Sequence, residues 1–291
     1  MSNLSRMHRT RRARTVAKTE IKYDYKRRRQ INYGSDKISV PIAMPFSGGM
    51  DSFVAMLRLN KLLPDSPKSY FYFEGMLAPA EEYSVAEQII GKENFLEVVQ
   101  ALDLSATARQ PDPFIPFRNL YFALYIFGLG FRSICFAFNG EDYIYPDTTP
   151  DFSLDLQALC RKHINREIII HTPLRHMSRI DMVMWIVDNY GKRSAVWDGL
   201  KESHSCFLFP PCRQCQTCFM REIAFSCVDD YIHNKKEFIQ HWTQDIHRTI
   251  VERLYWECRT GRYKYNKENS VGLQYLEYLN EFGNGVFLKA L

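Results

Sequence analysis

The six residues Ser47-Gly48-Gly49-Met50-Asp51-Ser52 lie between a short apolar stretch and a segment with helical apolar spacing. Two adjacent glycines permit a turn too tight for most residues and bring bare backbone N–H groups close to an anion. A helix that begins there adds unpaired N–H groups and the positive end of its dipole. The segment therefore predicts a strand, a phosphate-gripping turn and a helix in that order. Ser47 and Ser52 would donate hydroxyl hydrogens to phosphate oxygens. Asp51 repels phosphate unless Mg²⁺ lies between them, so its presence favours a metal–nucleotide complex. The plain alternative is a tight turn that only starts a helix; the full hexapeptide at such a junction favours the nucleotide.

The pattern that follows supports the same architecture. Residues 38–46, 70–73, 95–99, 133–138 and 168–171 read as strands. Residues 52–63, 80–90, 118–127, 152–162 and 178–190 read as helices, the last opened by Ser178 with Asp181 three residues on, close to a capping box. Strands alternating with helices predict an α/β fold with a parallel sheet covered on both faces. Pro41 and Pro45 count against the first strand, because proline removes a ladder donor. Residues 20–33 read as a hairpin or an edge strand. After Cys218 the chain reads as mainly helical, at 221–225, 236–256 and 271–281.

Charge is unevenly placed. Residues 1–37 hold 12 Lys or Arg against Glu20, Asp24 and Asp36, a net +9, so the total of +5 leaves −4 on the other 254 residues. Three segments follow: a basic, partly disordered extension at 1–37, an ATP-binding domain at 38–226 and a helical extension at 227–291. Clustered cations such as Arg6, Arg9, Arg11, Arg12, Arg14 and Lys26 to Arg29 suit a nucleic-acid backbone. A flexible solubilising arm and an organelle transit peptide are the alternatives. No apolar run approaches the roughly 20 residues needed to span a bilayer. The basic start never turns apolar as a secretory signal does. The expectation is a cytoplasmic protein with no membrane contact.

Cys206, Cys212, Cys215 and Cys218 fall within thirteen residues, while Cys135, Cys160, Cys227 and Cys258 are scattered. Cys-x2-Cys spacing lets one turn present two thiolates, and four of them suit tetrahedral Zn²⁺. A fully ligated centre of this kind is structural. Arg213 would temper its negative charge, and His204 reads as a solvated loop residue, with a substitute metal ligand as the alternative. An iron–sulfur cluster, a persulfide-carrying pair and a chance group of free thiols are the other readings.

The Ser-Gly-Gly-x-Asp-Ser signature resembles the ATP-pyrophosphatase (PP) loop of adenine-nucleotide α-hydrolase-like enzymes. Together, the loop and the cysteines resemble the 7-cyano-7-deazaguanine synthase (QueC) family. Other segments agree in order. Pro116-Phe117-Arg118-Asn119 resembles the family's Pro-Gly-Arg-Asn, which opens a helix near the nucleotide. Asn139-Gly140-Glu141-Asp142-Tyr143, Tyr145-Pro146-Asp147 and Pro150-Asp151-Phe152 resemble its substrate-pocket segment. His171-Thr172-Pro173-Leu174, Ser178-Arg179 and Cys218-x2-Arg221-x2-Ala224-Phe225 resemble the stretches flanking the cysteines. The resemblance spans about residues 38–226. It implies a ligase that adenylylates the carboxylate of a 7-deazaguanine with ATP and forms an amide or nitrile with ammonia.

On that resemblance, Ser47, Asp51 and Arg118 would carry catalysis. Ser47, Gly48, Gly49, Asp51, Ser52 and Asn119 would hold ATP. Asn139, Glu141, Asp142, Tyr145 and Asp147 would hold the base, with the acidic pair accepting ring N–H groups and Tyr143 or Tyr145 stacking on the ring. Zn²⁺ would sit on the four cysteines, and a homodimer is implied. Three departures stand out. Tyr72-Phe73-Glu74-Gly75 lacks the family's Gln-Arg-His, which would lie close to the substrate. Phe117 replaces a glycine, so the backbone there is expected to differ. The gap between Cys206 and Cys212 is short. With the basic tail, these departures leave open a related ligase acting on a macromolecule, for example in antiviral defence, or an RNA-binding, tRNA-modifying enzyme.

Overall fold

β-Branched and aromatic runs at the expected places pair into one sheet. The computed structural model describes residues 40–74, 80–91, 95–100, 115–142, 145–163, 167–206, 211–213 and 215–226. The expected hairpin at 20–33, the basic tail, Tyr143 and the helices after residue 226 lie outside them. Five strands, β1 (Ile42–Pro45), β2 (Lys68–Glu74), β3 (Phe95–Gln100), β4 (Ser133–Cys135) and β5 (Ile169–His171), lie in the order β3-β2-β1-β4-β5. All four pairings are parallel. Among the described residues seven α-helices accompany them: α1 (Met50–Leu62), α2 (Ala80–Ile90), α3 (Arg118–Gly128), α4 (Pro150–His163), α5 (Arg179–Tyr190), α6 (Ala195–Glu202) and α7 (Gln216–Ser226).

Alternation along the strands divides the core in two. Ile42, Met44, Tyr70, Tyr72 and Cys135 pack on one side with α1, α5, α6 and α7. Ala43, Phe71, Phe73 and Ile134 pack on the other with α3 and α4. A period of two along each strand sends neighbouring side chains to opposite faces, so a doubly covered sheet must be apolar at nearly every position. The prolines fit for a local reason. Pro41 precedes β1 and Pro45 is its last residue, where the ladder gives way to the loop; pairing resumes as Phe46 N donates to Phe71 O at 2.9 Å.

The fourth strand is shorter than its sequence suggests, ending at Cys135 rather than Phe138. Phe136 and Phe138 still bury their rings on the α3 and α4 side, 4.6 Å apart and stacked. Helix α6 was not foreseen. Its eight residues are too few for a clear period, but Ser194 caps it by accepting from Trp197 N, and Trp197 and Leu200 bury its apolar side. The capping box at α5 forms in both directions, Ser178 Oγ accepting from Asp181 N and Asp181 Oδ2 accepting from Ser178 N.

Strand order reverses between β1 and β4. From β1 the chain proceeds to β2 and β3 on one side, and β4 and β5 fill the other. The carboxyl ends of such strands form the crevice where open α/β sheets hold ligands. Here β1 runs into Ser47–Ser52, and the chain after β4 leads to Asn139–Asp147, so the two segments singled out by sequence flank the same switch point.

Candidate functional site

At the end of β1 the loop turns on two glycines for different reasons. Gly48 has φ +77°, and a Cβ there would lie 2.7 Å from Ala86 N in α2. Gly49 has ordinary φ, but its Cβ would meet the His204 carbonyl at 3.0 Å and Ser47 Oγ at 3.2 Å. Gly49 is the N-cap of α1 and supplies no side-chain cap. The 13-residue helix thus presents first-turn N–H groups to an incoming anion. Ser52 Oγ donates to Gly49 O at 2.8 Å, and Ser47 Oγ lies 3.5 Å from Ser52 Oγ and accepts from Gly49 N at 3.3 Å. Both hydroxyls therefore face the inside of the turn.

Asp51 follows at the start of α1. Arg179, at the start of α5, donates to Asp51 Oδ2 at 3.0 Å, while Asp51 Oδ1 is buried with no hydrogen-bond partner among the described residues. An unpartnered buried carboxylate oxygen beside a phosphate loop fits a Mg²⁺ ligand. Arg179 also binds Glu141: its backbone N–H donates to Glu141 Oε1 at 2.7 Å and its guanidinium to Oε2. Asp51, Arg179 and Glu141 form one chain joining α1, α5 and the segment after β4.

That chain corrects the expectation for Glu141. It is 3% exposed, and both carboxylate oxygens face Arg179, so it is not an open acceptor for a ring edge. A buried carboxylate needs a cation and N–H donors, and Arg179 supplies both. Asn139 is fully buried, and its Oδ1 accepts from Glu141 N at 2.7 Å and Asp142 N at 3.2 Å. Its Nδ2 has no partner among the described residues. Asp147 is 7% exposed and accepts at Oδ2 from Asn119 N at 3.2 Å and Nδ2 at 3.0 Å, so the residues assigned to base and to ATP hold each other. Tyr145 N donates to Asp142 O at 2.9 Å. Asp142 accepts at Oδ2 from Asn139 N at 3.1 Å. Burial, then the nearby Asp51 charge, push its carboxyl up to about 7, against the pull of Arg179.

Phe117 adopts φ 63°, the left-handed conformation that glycine takes most easily, and is the N-cap of α3. The backbone therefore keeps a glycine-type turn despite the substitution, contrary to the expected change, and the ring is left 71% exposed. Arg118 follows it. Its charge acts on Glu82 of α2, whose carboxyl burial pushes up to about 7 while Arg118 opposes the rise. The Tyr72 hydroxyl lies 3.5 Å from Glu82 Oε2. Glu82 and Ala86 are four residues apart and share one side of α2, the side against Gly48.

Beyond α6 the four cysteines converge. Their Sγ atoms all lie within 4.8 Å of one another, with Cys206 to Cys212 at 3.5 Å and Cys212 to Cys218 at 3.9 Å. Tetrahedral Zn–S bonds of about 2.3 Å would place sulfurs about 3.8 Å apart, so the cage fits a metal of that size. Hydrogen bonding with Cys218 holds the Cys215 thiol down to about 5 and pushes Cys218 up, so one thiolate forms readily. Arg213 pairs with Glu222 at 3.4 Å, which offsets the charge it was expected to lend the centre. His204 is not a solvated loop residue. It is 5% exposed, and its backbone N donates to Gly48 O at 3.1 Å.

Sequence reasoning gave no chemical role to Arg179 or Glu82, and considered His204 only as a substitute metal ligand. Arg179 directly after an N-cap serine was visible, but its partners lie 38 and 128 residues away. Glu82 had no local signal, and nothing near His204 in sequence pointed to Gly48.

The family described as Queuosine biosynthesis protein QueC matches residues 86–229, beginning after the phosphate loop. The 7-cyano-7-deazaguanine synthase of Chromobacterium violaceum is 28% identical over 123 residues, covering 40% of this chain and 50% of that protein. The one from Methylorubrum extorquens is 30% identical over 131 residues, 40% and 53% of the two chains. The one from Zymomonas mobilis is 32% identical over 104 residues, 34% and 40%. The chain spans about half the length of the curated relatives it matches. The U34-tRNA thiolase NcsA from Methanococcus maripaludis with its [4Fe-4S] cluster aligns over 76% of this chain and 75% of its own, at 16% identity and TM-score 0.39, a likeness on which nothing below rests. Among the described residues no helix is long and apolar enough to cross a membrane.

Proposed function

We propose, from the QueC-type segment at residues 86–229 and the loop that precedes it, that this chain is an ATP-dependent ligase acting on a carboxylated 7-deazaguanine-type base. The observation that carries the proposal is the uncapped N-terminus of α1, set at the strand-order reversal beside the matched segment. Gly48, Gly49, Ser47 and Ser52 would cradle the phosphates of ATP, and Asp51 Oδ1 would hold Mg²⁺. Asn119 would act indirectly, by fixing Asp147. The substrate carboxylate attacks the α-phosphorus, and pyrophosphate leaves. Ammonia then attacks the activated carbonyl carbon, and AMP leaves with the carboxylate oxygen. A second activation and loss of the amide oxygen would give the nitrile. Positioning and charge neutralisation are what such a site contributes.

Asp142 and Tyr145 remain the candidates to meet the base, while Asn139, Glu141 and Asp147 support them from behind. Arg118 with Glu82 would occupy the region where the family's Gln-Arg-His is missing. The four cysteines would hold structural zinc. Metal analysis should find about one Zn per chain; iron with visible absorbance would replace that assignment.

The direct test combines the protein with ATP, Mg²⁺, ammonia and 7-carboxy-7-deazaguanine. Pyrophosphate release with a product one amide or nitrile conversion away, read by mass spectrometry, supports the reading. Pyrophosphate release only with another acceptor would keep the ligase and move the substrate. The net +9 on residues 1–37 favours a nucleic-acid contact as a second reading. In that case RNA binding should weaken steeply with salt and drop on deletion of residues 1–19, with ATP turnover intact.

A further inference from the structure

We infer that the four-cysteine site holds the phosphate loop in its anion-gripping shape, with the backbone of His204 as the positioning link between them. The inference rests on the reading that Ser47–Ser52 binds ATP. The His204 N–H ties the Gly48 carbonyl at 3.1 Å, and the His204 carbonyl lies 3.0 Å from the position a Gly49 Cβ would take. Both ends of one residue therefore lie against the two loop glycines. A carbonyl oxygen turned toward phosphate would repel it. Binding the Gly48 carbonyl from behind leaves the loop's N–H groups to face the anion.

The linking segment has little slack. Ser203 and His204 are 4% and 5% exposed. On one side, Arg221 of α7 donates to Ser203 Oγ at 3.1 Å, Ser205 Oγ at 3.4 Å, Leu200 O at 3.2 Å and Lys201 O at 2.8 Å. It thereby caps the end of α6 and clamps the residues on both sides of His204. On the other side is Cys206, two residues on, whose Sγ accepts from Cys212 N at 3.3 Å. Two residues reach no further than about 7 Å, so where the metal places Cys206 fixes where His204 can stand. Cys218 lies on the same helix as Arg221, so the metal also holds the clamp to the segment it grips. Without the metal, the bonds that tie Cys206 to Cys218 of α7 are lost, and the support behind Gly48 relaxes.

Linkage makes this measurable in both directions: a metal that strengthens ATP binding must itself be held more tightly when ATP is bound, by the same factor. The experiment uses the full chain, metal-loaded or stripped with a chelator under thiol reductant. ATP·Mg²⁺ binding is read by calorimetry, and metal release by transfer to a chromogenic chelator. Stripping should weaken ATP binding about tenfold, within the usual range of coupling between sites. At equilibrium, saturating ATP should raise the chelator concentration needed to remove half of the metal by the same factor.

Should the stripped chain unfold, by circular dichroism, His204→Pro in the metal-loaded protein takes its place. Ser203 has φ −55° and ψ 139°, a conformation that a following proline favours, and the change removes the N–H given to Gly48 together with the imidazole. His204→Ala, which loses the ring but keeps the N–H, is the control and should bind ATP as wild type does. His204→Pro should keep its metal, bind ATP about tenfold more weakly and lose the effect of ATP on metal release. Equal ATP affinity with and without metal, or a His204→Pro protein that behaves as wild type, overturns the link. No ATP binding by the loaded wild type removes the phosphate-loop reading itself, and the link with it.

Discussion

The segments that follow β1 and β4 sit side by side at the carboxyl end of the sheet, yet they are built in opposite ways. Ser47–Ser52 keeps its polar groups facing inward on the turn: first-turn N–H groups, two hydroxyls and an unpartnered Asp51 oxygen. Asn139–Asp147 spends most of its polar groups on the protein. Asn139 accepts from the amides of Glu141 and Asp142, Glu141 binds Arg179, and Asp147 binds Asn119. Sequence suggested two ligand-binding segments. The structure shows an inward-facing turn and a brace. The difference teaches that acidic residues at a strand end identify a site less well than backbone geometry does, because a buried carboxylate must find partners before it can serve a ligand.

The contrast breaks most sharply at Gly48. Gly48→Ala meets both a positive φ, costing about 1–2 kcal/mol, and the α2 backbone at 2.7 Å. ATP binding by calorimetry should be lost altogether, while Asn139→Ala should bind ATP as wild type does. Gly48→Ala binding with unchanged affinity would mean that the loop is an ordinary turn.

The brace is tested next by Arg179→Met. The guanidinium is 10% exposed at its side chain and Glu141 2%, so the change strands a buried carboxylate. Breaking such a pair costs about 3–5 kcal/mol, measurable by urea unfolding. Glu141→Gln together with Arg179→Met should recover part of that loss. If the single variant is as stable as wild type, Glu141 has other support and is open to a ligand after all.

Titration sharpens the comparison further. The carboxyls of Asp142 and Glu82 are both raised to about 7, chiefly by burial. A raised carboxyl favours folding while protonated. That contribution is full below the ordinary carboxylate range near 4 and is lost as pH rises through about 7. The melting temperature should therefore fall between pH 5 and pH 8, and Asp142→Asn should flatten part of the decline. An unchanged slope in that variant would show that Asp142 is already ionised at low pH. His171 moves oppositely: burial lowers it to about 4, so its contribution is lost as pH falls from its ordinary value near 6.5 toward 4.

The smallest effect is expected at Phe117. With φ 63° and 71% of the residue exposed, the ring contributes little burial and the backbone carries strain. Phe117→Gly should raise stability by about 1 kcal/mol, the cost of the left-handed conformation for a residue with a Cβ. Lower stability would mean that the exposed ring is supported by something beyond the described residues.

The sequence by itself determined the order of strands and helices, the turn after β1, the α5 capping box and the cysteine quartet. Each is set by residues close together in the chain: a glycine pair sets a turn, a serine and an aspartate three apart set a cap, and Cys-x2-Cys sets a metal turn. Helix α6 escaped because eight residues show too little period, although Ser194 capped it. Only the tertiary structure decided that Arg179 joins Asp51 to Glu141, that Asn119 binds Asp147, and that His204 supports Gly48. These pairs lie between 28 and 156 residues apart in sequence. Which polar groups meet across such distances depends on which become buried together. Burial makes an unpaired charge or N–H costly, and that cost exists only once the sheet and its helices have assembled.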